Sequence, residues 1–481
     1  MSSETIANPE DGLSPMRLKS EDVIRAYIQR ISEVEPFINA IVERRYADAL
    51  NEAKDADVLV ASGKLTKEQL AETYPLLGVP LSVKVIIKVK GLRSTGSSLL
   101  FKDVRASEDA PAVAALRNAG AIVLVTTNAP EMSISLETSN KIYGRTNNPY
   151  DISRTSGGNS GGESALLSAG GSVLGLGNDL MGSIRIPCLF TGLFGHKPSR
   201  NMAFQEESFP LFNPKLSQML CTGPLCRYAE DLVTSMSVLS YGQKTHRKFG
   251  QAVNFRDIKI FYMLSLDANF ATPVSEDFQQ AIKEVVSYFQ TTYQVNSKET
   301  HIPLLKQSNS IALHCVLSAA GNITEVLTSS NGDINSFKEL FKWLIGMSDL
   351  TLGPLACMNF AKCFLWYNES KVPHYENLAK QLSEEFDSLL DEKSVFLFPT
   401  FPVTAFHHNE SHVYIPNVCY TSIFNVLGLP ATQCPLGLNS QGLPIGIQII
   451  GRKSNDSLTI AFAAELEKAF GGWVPPGSKR K

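Results

Sequence analysis

Between Arg154 and Arg200, glycine and small residues recur beside apolar ones in a pattern that neither a repeat nor a disordered linker explains. The stretch opens Arg154-Thr-Ser-Gly-Gly-Asn159-Ser160-Gly-Gly-Glu163 and continues through small residues from Ser164 to Ser172. It then reaches Gly175-Leu-Gly-Asn-Asp179-Leu180-Met181-Gly182-Ser183-Ile-Arg185. Glycine is needed where φ must be positive or where backbone must approach another group closely. A loop of exposed backbone N–H groups that ends in a serine suits a nucleophile beside its own oxyanion hole.

Two other readings of the stretch are weakened by context. Gly158-Asn-Ser160-Gly-Gly162 satisfies the G-x-S-x-G elbow pattern, but an elbow needs a hydrophobic strand directly before it. The residues before it, Asn148-Pro-Tyr-Asp-Ile-Ser-Arg-Thr-Ser, are loop formers. A phosphate loop is weaker still, because Gly175-Leu-Gly177 has Leu180 and Met181 near the place of the third glycine.

Composition narrows the classes. The 44 basic and 47 acidic residues nearly balance, and no Lys/Arg-rich run precedes the last three residues, so no nucleic-acid surface is expected. Eight scattered cysteines without a C-x-x-C pair give no metal spacing and suggest free thiols in a reducing compartment. His407, His408 and His412 are the only histidine cluster and read as solvated loop residues, so neither metal nor organic cofactor is expected. No apolar run follows a positive n-region at the start. The longest uncharged run, Val413 to Gly451, is punctuated by four prolines and reads as short buried strands and turns rather than a bilayer span.

Periodicity predicts a mixed α/β layer structure. Ser20 is placed to cap a helix that buries Val23, Ile24, Tyr27, Ile28 and Ile31. Strands are expected at Leu81 to Val89, Ile122 to Val125, Ile258 to Leu264, Val395 to Phe398 and Ile445 to Ile450. Helices are expected at Ala110 to Asn118, Ser275 to Tyr293 and Leu458 to Phe470. Phe337, Leu340, Phe341, Leu344 and Ile345 form one helical stripe, read first as a core helix and second as an apolar wall or membrane-facing cap. The organisation expected is a tail over 1–17, one domain over 18–476 and a tail over 477–481.

Several segments together resemble the amidase-signature family. They are Gly78-Val-Pro-Leu-Ser-Val-Lys84, the runs from Gly157 to Glu163 and from Gly175 to Pro187, Gly192-x-x-Gly-x-Lys197-Pro198, and Cys221-Thr-Gly-Pro-Leu-Cys-Arg-Tyr-Ala-Glu-Asp231. Asn425-x-x-Gly-Leu-Pro430 and Gly442-Leu-Pro-Ile-Gly-Ile-Gln448 add to it, and Cys434-Pro435 with Phe470-Gly-Gly-Trp473 points to the fatty-acid amide hydrolase 2-like branch. The resemblance runs from about Ser20 to Pro476 and implies a twisted mixed β-sheet core flanked by helices on both faces. It also implies a Ser–cis-Ser–Lys triad with Ser183 as nucleophile and Lys84 as the neutral base, which burial must strip of its proton. The backbone N–H groups of Leu180, Met181, Gly182 and Ser183 would form the oxyanion hole, and Asp179 with Arg185 an ion pair that shapes the loop.

The chain departs from the family at three places. The relay serine stands 24 positions before the nucleophile, and that position is Asn159; Ser160 follows as a candidate substitute. An amide hydrogen-bonds but is a very poor proton carrier. Met181 replaces a glycine of the family's Asp-Ile-Gly-Gly-Ser, and Asn178 stands where many members have Thr or Ser. The family's additional first helix and the branch's membrane segment are not evident before Ser20, so a shortened or incomplete start is expected. The function implied is a serine hydrolase of amide bonds, with ester bonds as a second class and fatty-acid amides as substrates. The alternative is a catalytically impaired homologue that binds a lipid-like amide. A small amide with an apolar chain is the expected partner, with no nucleic acid. The location expected is cytoplasmic, with room for peripheral membrane contact.

Overall fold

A computed structural model describes residues 18–204, 214–241, 249–268, 270–322, 325, 327, 334–360 and 367–478. The expected tail over 1–17 and the last three residues lie outside it.

Eleven strands share one mixed sheet. In chain order they are β1 (Ile41–Arg44), β2 (Pro80–Lys84), β3 (Ile122–Thr127), β4 (Leu174–Asp179), β5 (Phe194–Lys197) and β6 (Cys221–Cys226), then β7 (Lys259–Tyr262), β8 (Ser297–Glu299), β9 (Ser394–Phe398), β10 (Ala431–Leu438) and β11 (Pro444–Gly451). Their spatial order is β1-β3-β2-β4-β6-β5-β10-β11-β9-β7-β8. β2 runs parallel to both its neighbours, β3 and β4, while β4 and β6 are antiparallel. Five helices bear on the chemistry or on the surface near it: α1 (Gly161–Ser168), α2 (Arg185–Phe190), α3 (Ser308–Ala320), α4 (Ser336–Leu344) and α5 (Cys419–Leu427).

Side-chain alternation along the strands builds two cores, as a sheet covered on both faces requires. Leu81, Val83 and Val123 pack with Val113 and Leu116 of helix Pro111–Asn118 and with Ile282 and Val285 of helix Glu276–Tyr293. On the other face Ile122 and Leu124 meet Ile24 and Ile31 of helix Ser20–Ile38 and Ala165 and Leu166 of α1. Farther along that face Phe396 and Phe398 pack on Phe386, Tyr420 and Phe424. The architecture is an α/β fold with a mixed sheet flanked by helices.

Several local expectations change. β2 ends at Lys84, because Ile87 N–H turns back to the Lys84 carbonyl (2.8 Å); Val85 N–H still donates to the Thr127 carbonyl of β3 (3.0 Å), and Val85 to Ile87 stay buried. Ser20 is not the cap of its helix but its first residue, and the Asp57 carboxylate accepts from the Ser20 and Glu21 N–H groups instead. The uncharged run from 413 to 451 includes a helix, α5, as well as strands. His408 is not solvated: it bridges Glu137 (2.6 Å) and the Ile152 carbonyl (3.0 Å).

The stripe at Phe337 is the largest correction. α4 buries no residue, and Phe337, Phe341 and Leu344 are 69%, 64% and 69% exposed. Asn335 caps it through the Lys338 N–H, so a local signal starts the helix although its Phe337, Phe341 and Leu344 face stays exposed among the described residues.

Candidate active site

The glycine-rich stretch is not one loop. Leu174–Asp179 is a fully buried central strand, β4, and only residues 180–184 form the turn into α2. The two strand glycines are there for space. A Cβ at Gly175 would lie 2.6 Å from Glu163 Oε1, and one at Gly177 would lie 2.9 Å from Ser160 Oγ. Leu167 of α1 and Leu225 of β6 would be met as closely, so the missing side chains let α1 seat directly on β4 and let β6 pack beside it.

Here the candidate residues converge. Lys84 closes β2, Asn178 and Asp179 close β4, Asn159 and Ser160 lead into α1, and Ser183 leads into α2. Ser183 Oγ donates to Asn159 Oδ1 at 2.8 Å, and Ser160 N–H donates to the Ser183 carbonyl at 3.1 Å. Asn159 Nδ2 donates to the Ser133 carbonyl. That carbonyl can only accept, which fixes which end of the amide faces Ser183. The Gly158–Asn159 peptide is cis. Ser160 Oγ is buried and has no hydrogen-bond partner among the described residues.

Lys84 is fully buried, and its side chain's single hydrogen bond among the described residues runs from Nζ to Asn178 Oδ1 (2.8 Å). Burial pushes its pKa down to about 7; the Asp179 and Glu163 carboxyls oppose this without cancelling it. Neither Asn159 nor Ser160 hydrogen-bonds to it, so among the described residues no direct chain of hydrogen bonds joins Lys84 to Ser183.

Asp179 organises the turn. Its carboxylate accepts from Gly182 N–H (2.7 Å), Ile184 N–H (3.1 Å) and the Arg185 guanidinium (3.0 and 3.1 Å). Burial alone would raise this carboxyl, but Arg185 holds it well below the usual carboxylate range. Arg185 is itself fixed by Gln448 Oε1 (2.9 Å) and Asn425 Oδ1 (2.6 Å). Gly182 N–H, one of the four expected oxyanion donors, is thus committed to the Asp179 carboxylate. The N–H groups of Leu180, Met181 and Ser183 have no partner among the described residues.

Position 182 requires glycine, with φ +116° and Thr421 Oγ1 standing where a Cβ would go. Met181 is not among the positive-φ residues, so its side chain does not strain the turn. Its carbonyl accepts from Thr421 Oγ1 (2.7 Å), and its side chain packs with Leu180 and Met219 against Leu216, Val316, Ala319 and Ala320. An apolar wall built largely by α3 therefore stands beside the nucleophile turn.

Four further residues shape the site without being site candidates in the sequence: Glu163, Thr421, Asn425 and Gln448. Glu163 lies in the glycine-rich motif itself, and Asn425 and Gln448 lie in segments that carry the family resemblance. Only Thr421 has no sequence signal. No group of three or more His, Cys, Asp or Glu side chains among the described residues is placed to hold a metal ion.

A buried lysine, a serine at a glycine turn and free backbone donors beside an apolar wall, all on this mixed sheet, define the class. The amidase family model matches residues 22–460, and the chain belongs to that family, whose members are amidases acting on carbon–nitrogen bonds other than peptide bonds. Within it, the chain is 39% identical over 489 residues to fatty-acid amide hydrolase 2-A of Danio rerio, covering 98% of this chain and 91% of the relative. It is 38% identical to fatty-acid amide hydrolase 2 of Homo sapiens, covering 96% and 88%. A solved structure of a fatty acid amide hydrolase superposes with TM-score 0.75 at 21% identity, covering 95% of this chain and 83% of that one.

Proposed function

We propose that this protein hydrolyses amides of apolar acyl chains, of the fatty-acid amide type, through an acyl-enzyme on Ser183. The observation that carries this reading is the Ser183 hydroxyl at a turn whose Leu180, Met181 and Ser183 N–H groups are uncommitted among the described residues, with a fully buried Lys84 behind it. Ser183 attacks the carbonyl, and the three N–H groups receive the oxyanion. Lys84, as the free amine, is the final proton acceptor, with the Ser160 hydroxyl as the candidate intermediary. The apolar wall of Met181, Val316 and Ala319 favours an acyl chain, and the relatives from Danio rerio and Homo sapiens are fatty-acid amide hydrolases.

One observation favours the second reading, an impaired homologue. The Ser183 proton points at an amide oxygen, and the far end of that amide is tied to the Ser133 carbonyl rather than to Lys84. A proton that leaves Ser183 along this line meets no base.

A fluorophosphonate probe and a panel of fatty amides separate the readings. Labelling of wild type that disappears in Ser183→Ala supports hydrolysis; equal labelling of both ends it. Asn159→Ser raises turnover by about 10²–10⁴ if the amide blocks the relay. Robust wild-type turnover with no gain on that substitution rejects the impaired reading.

Contact with a lipid surface accompanies this function. α4 exposes Phe337, Phe341, Leu344 and Ile345 with Lys338 and Lys342 beside them, the composition of an interfacial helix. No helix among the described residues is long and apolar enough to cross a membrane.

A further inference from the structure

We propose that Glu163 is a positioning residue for Lys84: the two buried groups share one proton, and Glu163 thereby sets how much of Lys84 stands as the free amine. The proposal rests on the reading of Lys84 as the base. Glu163 is fully buried, and both its oxygens are held, Oε1 by the Ser82 hydroxyl and Oε2 by the Thr127 hydroxyl (2.5 Å). Ser82 and Lys84 are two residues apart on β2 and so share a face, about 6–7 Å apart along the strand. The carboxyl is thus fastened to the strand that carries the lysine, on the lysine's own side. The absent side chain at Gly175 makes the room.

The charged groups that face Lys84 are few. From β4 there is Asp179, whose charge is committed to Arg185. From α1 there is Glu163, and β2 and β3 supply only the hydroxyls of Ser82 and Thr127. Among the described residues, Lys84 is the charged group that acts on Glu163. Burial pushes the carboxyl up and the lysine down, which draws their affinities for a proton together. One proton therefore has two arrangements: ammonium with carboxylate, or amine with carboxylic acid. The second places no charge in the dry interior and leaves the amine ready to accept a proton. The first turn of α1, which favours an anion at Glu163, pulls toward the first.

Glu163→Gln removes the negative partner, so Lys84 should lose its proton at lower pH. The direct readout is a pH titration of the lysine side-chain carbon signals in protein labelled with ¹³C-lysine, with Lys84→Met to assign residue 84. The apparent midpoint of Lys84 is expected to fall by roughly half a pH unit or more in Glu163→Gln. Ser82→Ala, which takes one donor from the carboxylate and makes it harder to ionise, should move it the same way, and decides the matter if Glu163→Gln fails to fold. The acid limb of kcat/KM should shift in parallel, whereas a merely structural role would lower kcat and leave the limb in place. An unmoved Lys84 midpoint in the folded variant overturns the proposal. A midpoint that moves in a protein that never hydrolyses an amide upholds it and overturns the hydrolytic reading instead.

Discussion

Asn159 and Ser183 show what a single side chain decides. An amide oxygen holds the hydroxyl as well as a serine would, but it cannot pass the proton on. If turnover occurs, it must depend on the amine form of Lys84, whose pKa lies at about 7. The lysine is depressed, so the reactive form is lost as pH falls. Below about pH 7, kcat/KM should drop roughly tenfold per unit for a single proton, and a pH profile of amide hydrolysis checks this. A flat profile from about pH 5 to 8 would remove Lys84 from the chemistry. At this scale the sequence singles out Lys84, Asn159 and Ser183 as candidates, because they sit in recognisable runs. It is silent on the role of Glu163 and on the diversion of Gly182 N–H to Asp179, since both follow from how α1 and the 180–184 turn settle on β4.

At the scale of elements, alternation and periodicity locate the helices at Pro111–Asn118, Glu276–Tyr293 and Asp456–Phe470 and the strands at 394–398 and 444–451 to within a residue or two. β4 escapes such patterns because its glycines read as loop, although they are there to admit a helix. α4 misleads for the opposite reason: its apolar stripe is real, but periodicity reports amphipathy and not what covers it. The double variant Phe337→Ser/Phe341→Ser tests this. On an exposed face it should leave stability within about 0.5 kcal/mol per site, whereas in a core each loss would cost about 3–5 kcal/mol. Urea denaturation measures the difference. Co-sedimentation with anionic lipid vesicles should fall severalfold in the same variant if the face meets a membrane.

Across the whole molecule, the sheet gathers distant parts of the chain around one ion pair. Arg185 reaches Gln448 on β11 and Asn425 on α5, so the turn that carries Ser183 is anchored to segments far along the chain, 263 and 240 residues away. Such anchoring is invisible to local patterns. Replacing Arg185 with methionine strands the Asp179 carboxylate in the interior and should cost about 3–5 kcal/mol of unfolding free energy. Disulfides contribute nothing to this framework among the described residues, where Cys188, Cys221, Cys226, Cys315, Cys357, Cys419 and Cys434 are all free. The thermal midpoint should therefore be the same with and without a reductant, and a drop of several degrees under dithiothreitol would contradict it.

The bond from Asn159 to the Ser133 carbonyl makes the amide a brace. Ser133 and Met132 both hold left-handed backbone, and the next link outward runs from Glu131 to Thr351 at the start of the segment behind α4. A serine at 159 is too short to span that gap, so the carbonyl would lose its donor, at about 1–3 kcal/mol if it stays dry. A looser 131–133 turn should then accompany whatever gain in turnover that variant shows, and its lower Tm would register what the wild-type residue was holding in place.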